Sequence, residues 1–274
     1  MRKHLFESLS AALLVVFVIW AFCQFHGPRE PTYQGRTLTF WLSQLDASWM
    51  PPGSSSRIEA EHAIRSIGTN ALPFLLKWTA ARDSLLKKNL MAWAKKQSLV
   101  KVRFHSDEEY HAKADGGFAA LGDVAKPAVP ALIELLNQRD TMVRVAAEYD
   151  LMWIGPEAQD AVPALVGCLN DSNGLVRFRA TRCLCAIHMK PEVAVPALVR
   201  SLGQPGVPAR ETISALTQFG EGAKPAVPRL VSLLESKDPM TRLAAAHALH
   251  VIDPTTWPKA SFGTRVNPET FHSK

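Results

Sequence analysis

Nine histidines and four cysteines are the residues here that could ligate a metal or act as nucleophiles. Their spacing argues against both roles. His247 and His250 stand three apart, on one face of a helix, but no third ligand accompanies them, and an exposed or capping role fits better than a metal site. Cys23, Cys168, Cys183 and Cys185 form no C-x-x-C and no disulfide framework. Cys183 and Cys185 point in different directions on a helix and read as buried free thiols; a pairing of Cys168 with one of them across adjacent helices stays open if the body is exported. No G-x-S-x-G, P-loop or H-E-x-x-H occurs, and the glycines of GDVAKPAV and GEGAKPAV read as turns between helices rather than phosphate loops. We expect no catalytic residue, metal or cofactor. The most distinctive chemistry is cationic: residues 77–103 hold eight Lys or Arg against the single Asp83. Candidate partner-binding residues there are Lys87, Lys88, Lys95, Lys96, Lys101 and Arg103. In DSLLKKNLMAWAKKQ an N-cap signal precedes a helix with Leu86, Leu90 and Trp93 on one face. That is either an extra packed helix with a solvated basic face or a site for an acidic partner or anionic headgroup.

The elements that would position such groups announce themselves by repetition. KPAVPALIELL, DAVPALVGCL, VAVPALVRSL and KPAVPRLVSLL place a proline at 130, 163, 196 and 228, spaced 33, 33 and 32 apart. A second phrase follows each, and its arginine recurs at Arg144, Arg177, Arg210 and Arg242 with the same spacings. Stepping back 33 residues from Arg144 reaches His111, in DEEYHAKADGGFAALG, and a still earlier copy is RIEAEHAIRSIG at Arg57. Gly68 and Gly122 lie 54 residues apart, so an insertion of about 21 separates these two copies. Each copy predicts two helices. The first opens on proline, whose missing N–H is harmless in the first turn, and carries an apolar stripe such as Val129, Leu132, Ile133 and Leu136. The second carries Val143, Ala146, Ala147, Leu151 and Ile154 and ends at a glycine, with His188 and Asp253 in that slot elsewhere. No alternating strand pattern competes. One such hairpin cannot bury its apolar faces alone, so the units must stack into a solenoid.

In that stack Asp140–Arg144 and Asp238–Arg242 are spaced as i, i+4 pairs, and an Asp of one unit could bond the Arg or backbone of the next. Asp140, Arg144, Arg177, Arg210, Asp238 and Arg242 are therefore assigned to a structural ladder, with gaps at Asn173 and Gly206. The pattern D-x-x-x-R-x-x-A-x-x-x-L-x-x-[IL]-G followed by A-x-P-A-V-P-x-L resembles the HEAT repeat, and more closely the short bacterial, phycobilisome-lyase-type form, over about residues 56–253. The resemblance implies an all-α solenoid of about six hairpins, armadillo-like in its stacking, and a binding scaffold rather than an enzyme. Enzymes on related folds leave no mark here: a di-iron hydroxylase of this architecture would need several His-Glu pairs, and the chain has no His-Glu dipeptide. The shared repeat does not by itself identify bilin-lyase activity, and a membrane anchor argues against it.

Ahead of the repeats, Arg2 and Lys3 precede an uncharged run, and residues 5–25 can just span a bilayer core of about 30 Å. Trp20, Phe22 and Phe25 fit a cleavage site poorly, so residues 1–25 read as an uncleaved signal anchor, with secretion after cleavage as the alternative. The basic start favours a cytoplasmic N-terminus and an exported body. Residues 26–55 form a linker and cap: YQGRTLTFWLSQL resembles a segment found ahead of the repeats in bacterial membrane-anchored HEAT proteins, and Leu38, Trp41, Leu42 and Leu45 share one helical face. The solenoid occupies 56–253 with its basic insertion at about 77–105, and 254–274 lack any helical period. The expected function is a membrane-anchored scaffold or adaptor that binds a protein or peptide on a concave face built mainly by the second helices. The alternative is a nucleic-acid-binding or base-modifying protein using the basic insertion. A net charge of +6 permits it, and an exported body excludes it.

Overall fold

The computed structural model describes residues 29–45, 54–84, 87, 89 and 106–255. The expected membrane span, the loop at 46–53, most of the basic insertion and nearly all of the tail lie outside them. Among the described residues no helix is long and apolar enough to cross a membrane.

The chain begins with a feature the sequence reading missed. Strands β1 (Thr32–Tyr33) and β2 (Arg36–Thr37) pair antiparallel around Gln34 and Gly35, both with positive φ, as a two-residue hairpin turn demands. Four strand residues are too few to show alternation. Helix α1 (Leu38–Leu45) follows, and Leu38, Trp41 and Leu42 are buried, as a cap over the first repeat requires. The Trp41 indole donates to the Tyr33 carbonyl at 3.3 Å and so fastens the hairpin to the cap.

The repeats then alternate two kinds of helix. Even-numbered helices carry the arginine phrase: α2 (Ser55–Ile67), α4 (Asp107–Leu121), α6 (Thr141–Ile154), α8 (Gly174–Ile187), α10 (Ala209–Gln218) and α12 (Pro239–Ile252). Odd-numbered helices carry the proline phrase: α3 (Leu72–Thr79), α5 (Val129–Leu136), α7 (Val162–Cys168), α9 (Pro191–Ser201) and α11 (Val227–Leu233). Proline sits in the first turn of each odd helix, as expected, although in α9 it is Pro191 that does so and Pro196 lies inside the helix.

Glycine explains that difference. At Gly68, Gly122, Gly155 and Gly220 the backbone takes φ between 53° and 69°, and at the first three, ψ near −130° to −140°. A side chain makes that combination costly. Each of these glycines leads into a 3-10 turn that feeds the next odd helix. His188 cannot follow them. It takes the left-handed conformation instead (φ 38°, ψ 33°), no 3-10 turn forms, and α9 starts directly at Pro191.

Even helices pack on even helices in sequence order, α7 packs on α5 and α9 among the odd ones, and α1 closes the first end against α2. One continuous apolar core runs from Leu38 to Ile252 between the two layers. The tightest approach lies between α3 and α4, where a Cβ on Gly117 would come within 2.4 Å of the Leu75 side chain. The result is an all-helical repeat stack of the solenoid kind.

Candidate docking face and its acidic cleft

Two of the arginines tie neighbouring units together, Arg144 to Asp171 and Arg177 to the Pro205 carbonyl, with partners other than those the spacing suggested. Asp140 does not serve Arg144. Its carboxylate caps α6 by accepting from the Met142 N–H at 2.9 Å, and Asp238 caps α12 through Met240 and Thr241. Asn173, which read as a gap, caps α8 through the Leu175 N–H. Arg144 donates to the carbonyls of Gln138 and Arg139, in the break before its own helix, and pairs with Asp171 of the next unit at 3.1 Å. Arg177 repeats this with the carbonyls of Asp171 and Ser172, then reaches forward to the Pro205 carbonyl. Arg242 holds Ser236 and Lys237. Arg210 differs: its side chain is exposed and lies 3.9 Å from Glu211. In that unit Gly206 approaches the Gly174 backbone so closely that a Cβ would stand 3.0 Å from it, and backbone replaces the missing Asp.

The even helices also carry the exposed apolar surface. Nine large apolar side chains stand exposed among the described residues, and seven lie on even helices: Ile58, Met142, Trp153, Leu175, Met240, Leu243 and Val251. Met142, Leu175 and Met240 each fall two residues before the repeat arginine, so they form a row across units. Trp153 and Val251, nine residues after it, belong to a second row. Beside them Arg179 lies over the Tyr149 ring at 4.0 Å and Arg182 lies 6.0 Å from Phe178.

Between α4 and α6 this face opens into a cleft of about 260 Å³ lined by His111, Ala112, Asp115, Met142, Val145, Ala146, Tyr149 and Asp150. The Trp153 indole donates to Asp115 at 2.5 Å. Asp150, only 1% exposed, bonds the Thr79 hydroxyl of α3 at 2.6 Å. The same hydroxyl lies 3.0 Å from the Leu75 carbonyl, so one hydroxyl serves two acceptors. Burial pushes the Asp150 carboxyl well up, Thr79 opposes that, and repulsion from Asp115 adds to it. Burial likewise raises Asp115 against the Trp153 bond and Arg179. A protonated Asp150 donating to Thr79, which donates in turn to Leu75, satisfies all three groups. His111 places Nε2 at 3.0 Å from the Ala81 carbonyl, which only accepts, so that nitrogen carries a proton.

A further acid lies just behind. Glu148 is 1% exposed, and the weak hydrogen-bonding group beside its carboxyl is the Cys168 thiol. Burial first, then Asp171, pushes it up to about 9 against the pull of Arg144 and Arg179. Burial first, then Glu148, raises the neighbouring Cys168 thiol to about 12, so the thiol is inert as a nucleophile near neutral pH. Cys168, Cys183 and Cys185 are free thiols, so the alternative pairing does not form.

Sequence reasoning missed Asp115, Glu148 and Asp150. Asp150 had a detectable signal: six residues after the repeat arginine or its equivalent stand Ala63, Gly117, Cys183, Leu216 and Ala248 in the other copies, all buried and uncharged. An acid in that core slot is anomalous on alignment of the repeats. Of the cationic candidates only Lys87 is described. It pairs with Asp83, lies 5.6 Å from the Tyr110 ring, and its N–H donates to Ser84, in agreement with the expected N-cap. Lys88, Lys95, Lys96, Lys101 and Arg103 lie outside the described residues. His247 is exposed and His250 half-buried. Among the described residues no group of three His, Cys, Asp or Glu is arranged to hold a metal.

Comparison with curated proteins finds no match. Solved structures similar in fold include an engineered protein at 23% identity, covering 79% of this chain and 96% of that one, with a TM-score of 0.44. A mutant of Kap121p is similar at 17% identity, covering 78% of this chain and 25% of that one, with a TM-score of 0.49. A designed armadillo repeat protein, in complex with the peptide (KR)4, is similar at 16% identity over 79% of this chain and 99% of that one, with a TM-score of 0.46. Residues 117–185, from the middle of α4 to the last turn of α8, match the family model of HEAT repeats.

Proposed function

We propose that the protein is a non-catalytic scaffold that binds another protein or peptide along the face of its even helices. The observation that carries this is the concentration of exposed apolar side chains there, in register from unit to unit, while the odd helices α3, α5, α7 and α11 keep theirs covered. Such rows cost solubility unless a partner covers them. Binding would spread over several repeats by surface complementarity. The proposal includes the anchor: residues 5–25 hold the chain in the cytoplasmic membrane of a bacterium, with the repeats on the outer side.

Leu175→Asp and Leu243→Asp test the face, because both side chains are exposed and the fold does not need them. Crosslinked capture from the native membrane should recover a partner with the wild-type chain and with the odd-layer control Glu134→Ala, and lose at least nine-tenths of it with either aspartate variant. Equal recovery by all four chains would sink the proposal. A reporter fused after Lys274 that is active only in the cytoplasm would reverse the orientation.

A further inference from the structure

We infer that the cleft between α4 and α6 receives a lysine or arginine side chain of the bound partner, its charged head against Asp115 and Asp150 and its aliphatic stem along Met142, Val145 and Tyr149. This rests on the docking face proposed above and names what one point of it recognises.

The cleft is amphipathic in the way a long basic side chain is. Its walls are Ala112, Met142, Val145, Ala146 and the Tyr149 ring, and the carboxyls come from Asp115 and Asp150. A volume of about 260 Å³ holds one such side chain and leaves no room for a folded element. Charge complementarity points the same way. Asp115 and Asp150 stand close enough to repel each other, and of the guanidiniums nearby Arg179 acts on Asp115. Arg144 is committed to Asp171 and to two carbonyls, and Arg179 lies over Tyr149. The cleft itself holds two carboxyls inside a chain whose net charge is +6. A cation entering the cleft would let the buried acids ionise at lower cost. Both carboxyls are also pre-positioned, Asp115 by the Trp153 indole and Asp150 by Thr79, so little order would be lost on binding.

Full-length protein in a neutral detergent would be titrated with fluorescently labelled hexalysine and, in parallel, hexaglutamate and hexaserine, at low salt. The overall positive charge works against a cationic probe, so non-specific attraction does not imitate the expected result. Hexalysine should bind in preference to both others, and Asp115→Asn and Asp150→Asn should each weaken it at least tenfold. Asp123→Asn, an exposed acid outside the cleft, should leave it within twofold. Asp150→Asn keeps a donor for Thr79 in its side-chain NH2; should it still unfold, Asp115→Asn, at a half-buried site, decides alone. Hexaserine binding as tightly as hexalysine, or Asp115→Asn binding within twofold of wild type, overturns the inference. Partner capture that needs Leu175 and Leu243 but tolerates Asp115→Asn would overturn it too, while leaving the docking face standing.

Discussion

Helices α6 and α12 are copies of one unit and yet fill the same slots with opposite chemistry. Four residues after the repeat arginine α6 has Glu148, where α12 has Ala246; six residues after it α6 has Asp150, where α12 has Ala248. All four positions are buried. In α12 the slots do what a solenoid needs, which is to glue one unit to the next. In α6 they hold acids that burial keeps from ionising, Asp150 tied to Thr79 and Glu148 set against the Cys168 thiol. A buried acid satisfied only by a weak partner costs about 1–3 kcal/mol, so α6 gives up stability that α12 keeps. Repeat proteins can bear this locally because each unit leans mainly on its neighbours. The concession coincides with the cleft and with the exposed Trp153 and Met142.

Carrying the acid of α6 into a C-terminal unit should have the largest effect. Leu216 fills the Asp150 slot in α10 and is fully buried. Leu216→Asp should cost about 3–5 kcal/mol, because it forces a carboxyl into a fully buried slot. Urea unfolding followed by circular dichroism would show it, and an unchanged midpoint would mean that the slot is not equivalent between units.

Removing an acid from α6 should act in the other direction. Glu148 has a folded pKa of about 9 against an ordinary 4.5, so the folded state holds its proton more tightly. The stability contributed by that proton is fully present below about pH 4.5 and is lost as pH rises towards 9. Glu148→Gln is neutral throughout. It should be more stable than wild type by on the order of 2 kcal/mol at pH 7, with the gap closing near pH 4. Thermal melts at the two pH values decide, and a gap that widens towards acid would contradict the assignment.

The smallest effects should separate the arginines. Arg144→Ala removes two carbonyl bonds and the Asp171 pair and should cost about 1–3 kcal/mol. Arg210→Ala, at an exposed side chain outside these contacts, should stay within about 0.5 kcal/mol. Equal losses in urea titrations would show that these contacts are not what distinguishes them.

The fold was largely legible because its signals are local and repeated. Proline in a first turn, glycine after a helix and apolar residues at helical spacing state their structural role within ten residues, and copies at a period of 33 remove the ambiguity of any single one. The hairpin at Thr32–Thr37 escaped because its strands are two residues long. The contacts of these residues were less legible: Arg144 and Arg177 bridge to the next unit, Arg242 holds the break before its own helix, and Asp140 and Asp238 are caps. An i, i+4 spacing describes neighbours on one helix and is silent on the carbonyls of the preceding break.

The cleft lies at the other extreme. Asp115, Glu148 and Asp150 sit in phrases that scan as ordinary amphipathic helices, and Thr79 is 71 residues from the aspartate it touches. Periodicity decided that α4 and α6 exist, where each begins and ends, and that they must lie side by side. Only the packing of α3, α4 and α6 decided that Glu148 and Asp150 would be stripped of water and that Asp115 would stand half-buried in an open cleft, because burial and charge proximity depend on distances between units that no spacing within one unit contains.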